Sequence, residues 1–227
     1  MASYTYADMY NRIADELGGR SDLLSNSTGM STPPIQLAIL DAVKQWERER
    51  FYFNEIRQTA AFSTVNGQEF YTSSDWADIA TMAHIDKLSI LVSGNRYFLI
   101  GRTEQYMEDV SINPSVTGVP IEYGYYAEQL RFYPIPNGAY PVNVLGTKRQ
   151  TALSAAGDTN AWTSDAEELI RLTAKRNLYR DTLMDDAGAA RMERAMGLVP
   201  GIPGALQALQ GETFRRSATN RIKPTFF

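Results

Sequence analysis

Apolar positions along this chain change period twice. From Tyr6 they recur at helical spacing, as Tyr6, Met9, Tyr10, Ile13 and Leu17, and mark one buried face. Thr5 stands where an N-cap belongs, and Asp8 falls in the first turn, where the helix dipole favours negative charge. Gly18-Gly19 ends the helix, because glycine accepts the left-handed conformation there. After a polar stretch, Thr32 is expected to cap a second helix with Pro33 at its first position. Its buried stripe is Ile35, Ile39, Val43 and Trp46.

Beyond "FYFNEI" the period falls to two. Asn66-Gly67 lies between "AAFSTV" and "QEFYT" and predicts a hairpin. Gly94-Asn95 predicts another between "KLSILVS" and "RYFLI". "TEQYMEDV" reads as a short helix. Ile121, Tyr123 and Tyr125, then Leu130 and Phe132, then Tyr140, Val142 and Val144 read as three meandering strands. Their turns fall at Ala127-Glu128 and Pro136-Asn137-Gly138. Pro141 cannot donate to a ladder, so its strand starts there or lies at an edge.

Helical spacing returns at Ser164, where "SDAE" reads as a capping box between Ser164 and Glu167. The apolar face from Leu169 through Leu178 to Met184 runs to about Asp185. A last helical piece covers roughly 187–210, bent where "GLVPGIPG" interrupts it. Helices, then strands, then helices imply an α+β fold rather than a parallel α/β sheet. The expected organisation is a discontinuous helical bundle (1–52 and 151–211), an inserted antiparallel β domain (53–150) and an extended C-terminal arm (212–227).

Composition narrows the chemistry. The 227 residues are 44% apolar and 21% charged, with a net charge of −4 and no cysteine. Without cysteine there are no thiolate metal sites, thiol nucleophiles or disulfides. "MASYTYADMYN" does not read as a signal peptide. Apolar runs such as "SILV" and "YFLI" are strand-sized, so no membrane span is expected. His84 is the only histidine and reads as an ordinary strand residue. No Walker loop, dinucleotide-binding glycine pattern, nucleophile elbow or zinc-protease motif occurs. Asp185-Asp186 near a helix end has no evident role. Asp75, Trp76 and Asp78 could line a sugar site, although such a stretch is more often a turn with Trp76 as a packing anchor. The expectation is a protein that is not an enzyme, with no catalytic residues, no metal and no cofactor.

Two features point to partners instead. Tyr123, Tyr125, Tyr126, Phe132, Tyr133 and Tyr140 crowd one stretch, and strand alternation should turn about half of them outward. Exposed tyrosine rows suit contacts with another chain. The second feature is the C-terminal segment "GETFRRSATNRIKPTFF". Phe214, Arg215, Arg216, Arg221, Lys223, Phe226 and Phe227 sit there without helical or strand period. With those four basic residues set aside, 18 basic and 26 acidic side chains remain, a balance of −8. A basic, aromatic arm on an acidic body could bind nucleic acid or be a plain disordered end. Docking on a partner protein, with Phe as anchors and Arg as charge-complementary contacts, fits it better.

The layout resembles a known family. "YTYADMYNRIADEL", "AVKQWERERFYFNEI" and "FSTVNGQEFYT", then "GVPIEYGYYAEQLRFYPIPNGAYPVNVLG" and "WTSDAEELIRLTAKRNLYRDTLMDD", are similar in order and spacing to the head-to-tail adaptor (connector) proteins of tailed bacteriophages, including the tail tubular type. The resemblance implies a structural protein of the virion, made in the host cytoplasm and placed at the head-tail junction. It implies a homo-oligomeric ring, usually dodecameric, below the portal protein. It also implies a β domain facing the tail nozzle or tube, and DNA passing through the channel without sequence-specific binding. Carried over, the arm residues Phe214 to Phe227 reach the portal, and Tyr123, Tyr125, Tyr126 and Tyr133 become subunit or nozzle contacts. The alternative reading is a carbohydrate-binding or baseplate-type tail module.

Overall fold

The computed structural model describes residues 4–25, 31–111 and 116–217. In chain order they form helices α1 (Tyr6–Glu16) and α2 (Pro34–Trp46), then strands β1 (Glu55–Ser63), β2 (Phe70–Tyr71), β3 (Met82–Val92), β4 (Asn95–Phe98) and β5 (Ile100–Arg102). Helix α3 (Glu104–Val110) precedes β6 (Thr117–Gly118), β7 (Glu122–Tyr126), β8 (Gln129–Tyr133), β9 (Ile135–Pro136) and β10 (Pro141–Lys148). Four helices follow: α4 (Ala161–Ser164), α5 (Glu167–Asn177), α6 (Asp186–Met196) and α7 (Ala205–Ser217), with a π-helical turn, Leu178–Thr182, after α5. The fold is mixed α+β, and its contacts divide the chain into two compact units, Met1–Phe53 with Gln150–Phe227, and Asn54–Arg149.

In the helical unit, α1 starts as its sequence requires. The Thr5 hydroxyl accepts from the Asp8 amide at 3.1 Å, and the Asp8 carboxylate accepts from the Thr5 amide at 2.9 Å. Tyr6, Met9 and Ile13 enter a core shared with Ile35, Ile39 and Trp46 of α2 and Leu169, Ile170 and Leu172 of α5. Helix α2 begins one residue later than expected, with Pro34 at its first position and no side-chain cap from Thr32. The reason is local: a residue before proline is driven to extended backbone, so Pro33 cannot be helical. The capping box at Ser164 does not form either. Asn160 caps first, its side-chain Oδ1 accepting from Trp162 N at 2.9 Å and Thr163 N at 3.3 Å, which puts Ser164 inside α4. Asp185 finds a role as the cap of α6, accepting from Gly188 N at 2.9 Å, with Asp186 in the first turn.

The β unit is a sandwich. One sheet, sheet A, has the order β1-β10-β3-β4, and the other, sheet B, has the order β2-β8-β7-β5. Ile56, Phe62, Leu88, Ile90, Val142 and Val144 of sheet A pack on Tyr71, Tyr123, Leu130 and Phe132 of sheet B. Val92 and Asn95 pair across a two-residue loop in which Ser93 and Gly94 both have positive φ, as a type I′ turn demands. This hairpin is the expected one, one residue earlier in its turn. The Asn66-Gly67 hairpin is not formed. β1 pairs with β10 and β2 with β8, so the turn carries the chain from one sheet to the other. Facing rings decide this: Phe62 and Tyr71 lie 5.3 Å apart across the core. The meander is also cut short. β7 and β8 pair through Ala127-Glu128, but β10 leaves them and sits between β1 and β3. Pro141 opens β10, as expected. The unit is not purely antiparallel, because β5 runs parallel to β7 and β6 to β9.

Candidate interaction surfaces

The C-terminal segment is helical where it is described. Helix α7 continues through Ser217, so Phe214, Arg215 and Arg216 belong to a helix and not to an extended arm. Leu209 anchors it in the core of the helical unit. The Thr213 hydroxyl bonds back to Leu209 O at 2.9 Å and accepts from Tyr52 N at 3.3 Å. Arg216 pairs with Glu212 one turn earlier and lies over the Tyr52 ring, 3.7 Å from its centroid. Burial, and then the 2.7 Å hydrogen bond from its hydroxyl to Asp165, push the Tyr52 phenol up to about 12. Arg216 therefore holds the helix down, while Phe214, 69% exposed, and Arg215 point to solvent. Arg221, Lys223, Phe226 and Phe227 lie outside the described residues.

The tyrosine stretch does not build an exposed row. Tyr123 is buried opposite Phe132, and Tyr125, opposite Leu130, donates its hydroxyl to Ile79 O at 2.8 Å. Both therefore face the sandwich core. Tyr133 is half-buried, and Tyr126 alone of the four candidate contacts is exposed, at 66%. Alternation is obeyed, but the positions between the tyrosines on the outer side of β7 are Glu122 and Gly124. Met107 of α3 lies where a side chain on Gly124 would stand, so α3 covers that face.

Between α3 and sheet B lies a charge cluster that no local pattern announces. The Arg131 side chain, 6% exposed, meets Glu69 at 2.6 Å, Glu104 at 2.9 Å and Glu108 at 2.6 Å, and its guanidinium sits over the Phe70 ring. Burial alone would lower the Arg131 pKa, but the bonds to Glu69 and Glu108 outweigh it and raise it. Beside it, Arg102 binds the buried Glu122 at 2.8 Å. The outer face of sheet A differs. There Arg57, Lys87 and Arg96 surround a cleft of about 250 Å³, floored by Ser89, Asn143 and Leu145, with no carboxylate in its lining.

The sugar-site residues are committed elsewhere. Asp75 accepts from Thr72 N and Gln68 Nε2, Asp78 pairs with Lys148 at 3.0 Å, and Trp76 stacks on Phe62. His84 is exposed beside Asp86. Among the described residues no group of acidic or histidine side chains could hold a metal ion. No helix among them is long and apolar enough to cross a membrane. A cleft of about 600 Å³ in the helical unit, between α2 and the π-helical turn, went unread in the sequence because its walls, such as Leu37 and Arg176, are far apart along the chain.

Comparison with known families then decides the class. The family model of the SU10 adaptor protein matches residues 4–222. The chain belongs to this family. It is thus a phage adaptor with a structural role, as the resemblance in the sequence implied. No curated protein matches the chain.

Proposed function

We propose that this SU10-family chain is a head-tail adaptor of the virion. It assembles as a homo-oligomeric ring below the portal protein and joins it to the tail nozzle or tube. It leaves a channel through which DNA passes, without sequence-specific binding, on ejection. The observation that carries this reading is the family match over residues 4–222, nearly the whole chain. The segment from Phe214 onward supports portal docking. Phe214 and Arg215 are exposed at the end of a helix whose other side is anchored, and Arg221, Lys223, Phe226 and Phe227 follow in sequence. Aromatic and arginine side chains are the residues that most often dominate binding energy at interfaces. The acidic balance of the rest of the chain suits a channel that disfavours tight phosphate contacts.

The test is co-elution with the portal ring of the same virus, followed by imaging. Truncation after Ser217 is the informative variant, since it keeps Thr213 and Arg216 packed on Tyr52. Full-length chain is expected to form a cap-like ring on the portal, and the truncation is expected to lose it. If both bind equally, the docking role of residues 218–227 is overturned and the adaptor reading stands. If neither binds, the portal-adaptor reading falls.

A further inference from the structure

A closed ring of identical subunits is built by a heterologous contact, in which one surface of each copy meets a different surface of the next. The β unit carries two surfaces of that kind. They point away from each other, because one is the outer face of sheet A and the other is the outer face of sheet B with α3 upon it.

Their charges are opposite. On the sheet A side, Arg57, Lys87 and Arg96 ring the cleft and make no ion pair among the described residues. On the α3 side, Glu69, Glu104 and Glu108 share the single Arg131, and Asp109 adds a further exposed carboxylate. Each surface also has exposed aromatic area, Phe98 at 65% beside the cleft and Tyr106 at 37% on α3. We propose that the cationic face of sheet A in one copy seats on the acidic α3 face of a second copy. This contact would be the repeating joint of the ring. It rests on the ring reading above and names the surfaces that make it. Unpaired cations on one side and surplus carboxylates on the other steer encounter head to tail. They also disfavour the two symmetric pairings, since like charges would meet.

The experiment is a charge swap in the full chain. One variant carries Lys87→Glu and Arg96→Glu, the other Glu108→Lys and Asp109→Lys. All four positions are exposed, and melting curves check that each variant folds. Self-association is followed by sedimentation velocity, with and without the portal ring. Either variant alone sets like charge against like at every joint, and is expected to associate at least tenfold more weakly than wild type. An equimolar mixture can alternate, with every joint complementary, and is expected to recover most of the assembly. Wild-type-like assembly by either variant alone overturns the proposal, and so does a mixture that fails to recover. In both cases the ring reading survives, because wild-type protein assembles. If wild-type protein stays monomeric in solution and on the portal, the ring reading itself fails and takes this proposal with it.

Discussion

The helical unit and the β unit treat charge differently. In the helical unit, Glu16 is reached by Arg12 at 3.1 Å, Arg171 at 2.7 Å and Lys175 at 2.6 Å, and Glu167 by Arg12 and Arg171. These contacts tie α1 to α5, and within this network each carboxylate meets at least two cations and each cation at least one carboxylate. In the β unit one guanidinium answers three carboxylates on one side of the sandwich, and three cations go unanswered on the other. The lesson is one of placement. Charges that only join elements are balanced locally, while charges left in surplus are segregated onto opposite faces.

The largest effect should come from breaking the surplus at its centre. Arg131→Met removes the only cation among Glu69, Glu104 and Glu108 and leaves them facing each other near Glu122. Removing one partner from a buried ion cluster destabilises by roughly 3–5 kcal/mol. Glu108 is two-thirds exposed and can turn to water, so the lower end, about 3 kcal/mol, is expected. Denaturant unfolding measures it. A loss below about 1 kcal/mol would place Arg131 with ordinary surface pairs and erase the contrast between the units.

The sequence tells these two units apart unevenly. Helix α1 is legible because its cap, face and stop are all local, and so is the turn at Ser93-Gly94. The Asn66-Gly67 turn is equally local, but which strand each side pairs with is decided by Phe62 and Tyr71 meeting across the core. Arg131 lies 23, 27 and 62 positions from its three partners, beyond any periodic signal. The tyrosines are misread for a related reason. Alternation puts Glu122 and Gly124, not tyrosines, on the side opposite Tyr123 and Tyr125, but it does not say that α3 covers that side. At the C-terminus a local signal does exist, since Glu212 precedes Arg216 by one helical turn and Leu209 lies one turn before Thr213. The cationic face is gathered from β1, β3 and β4, so its site is visible only once sheet A is assembled.

The helical unit offers a neutral counterpart to Arg131. Trp46 donates its indole N–H to the Thr173 hydroxyl at 2.8 Å, and that hydroxyl donates onward to Leu169 O. Thr173→Val keeps the volume and orphans a buried N–H, a cost of about 2 kcal/mol. Thr173→Ser keeps the hydroxyl and should recover most of it. Unfolding curves for the two variants separate hydrogen bonding from packing, and equal losses in both would assign the site to packing.

The smallest effect belongs to the matched network and is best read with acid. Burial alone would raise the Glu16 carboxyl, but the hydrogen bonds from Lys175 and Arg171, with their charges, outweigh it and hold it below the usual carboxylate range. A carboxyl held low in the folded chain contributes stability above its unfolded value of about 4.3, and the contribution disappears as pH falls through the lower folded value. The gap between wild type and Glu16→Gln should therefore be constant from about pH 7 to 5 and close progressively at lower pH. Glu16 is partly solvated, so the gap should stay under about 1 kcal/mol. Unfolding free energies of both proteins across that range measure it. A gap that survives acid would mean that Glu16 joins α1 to α5 by shape, and the contrast with Arg131 would then rest on packing, not on balanced charge.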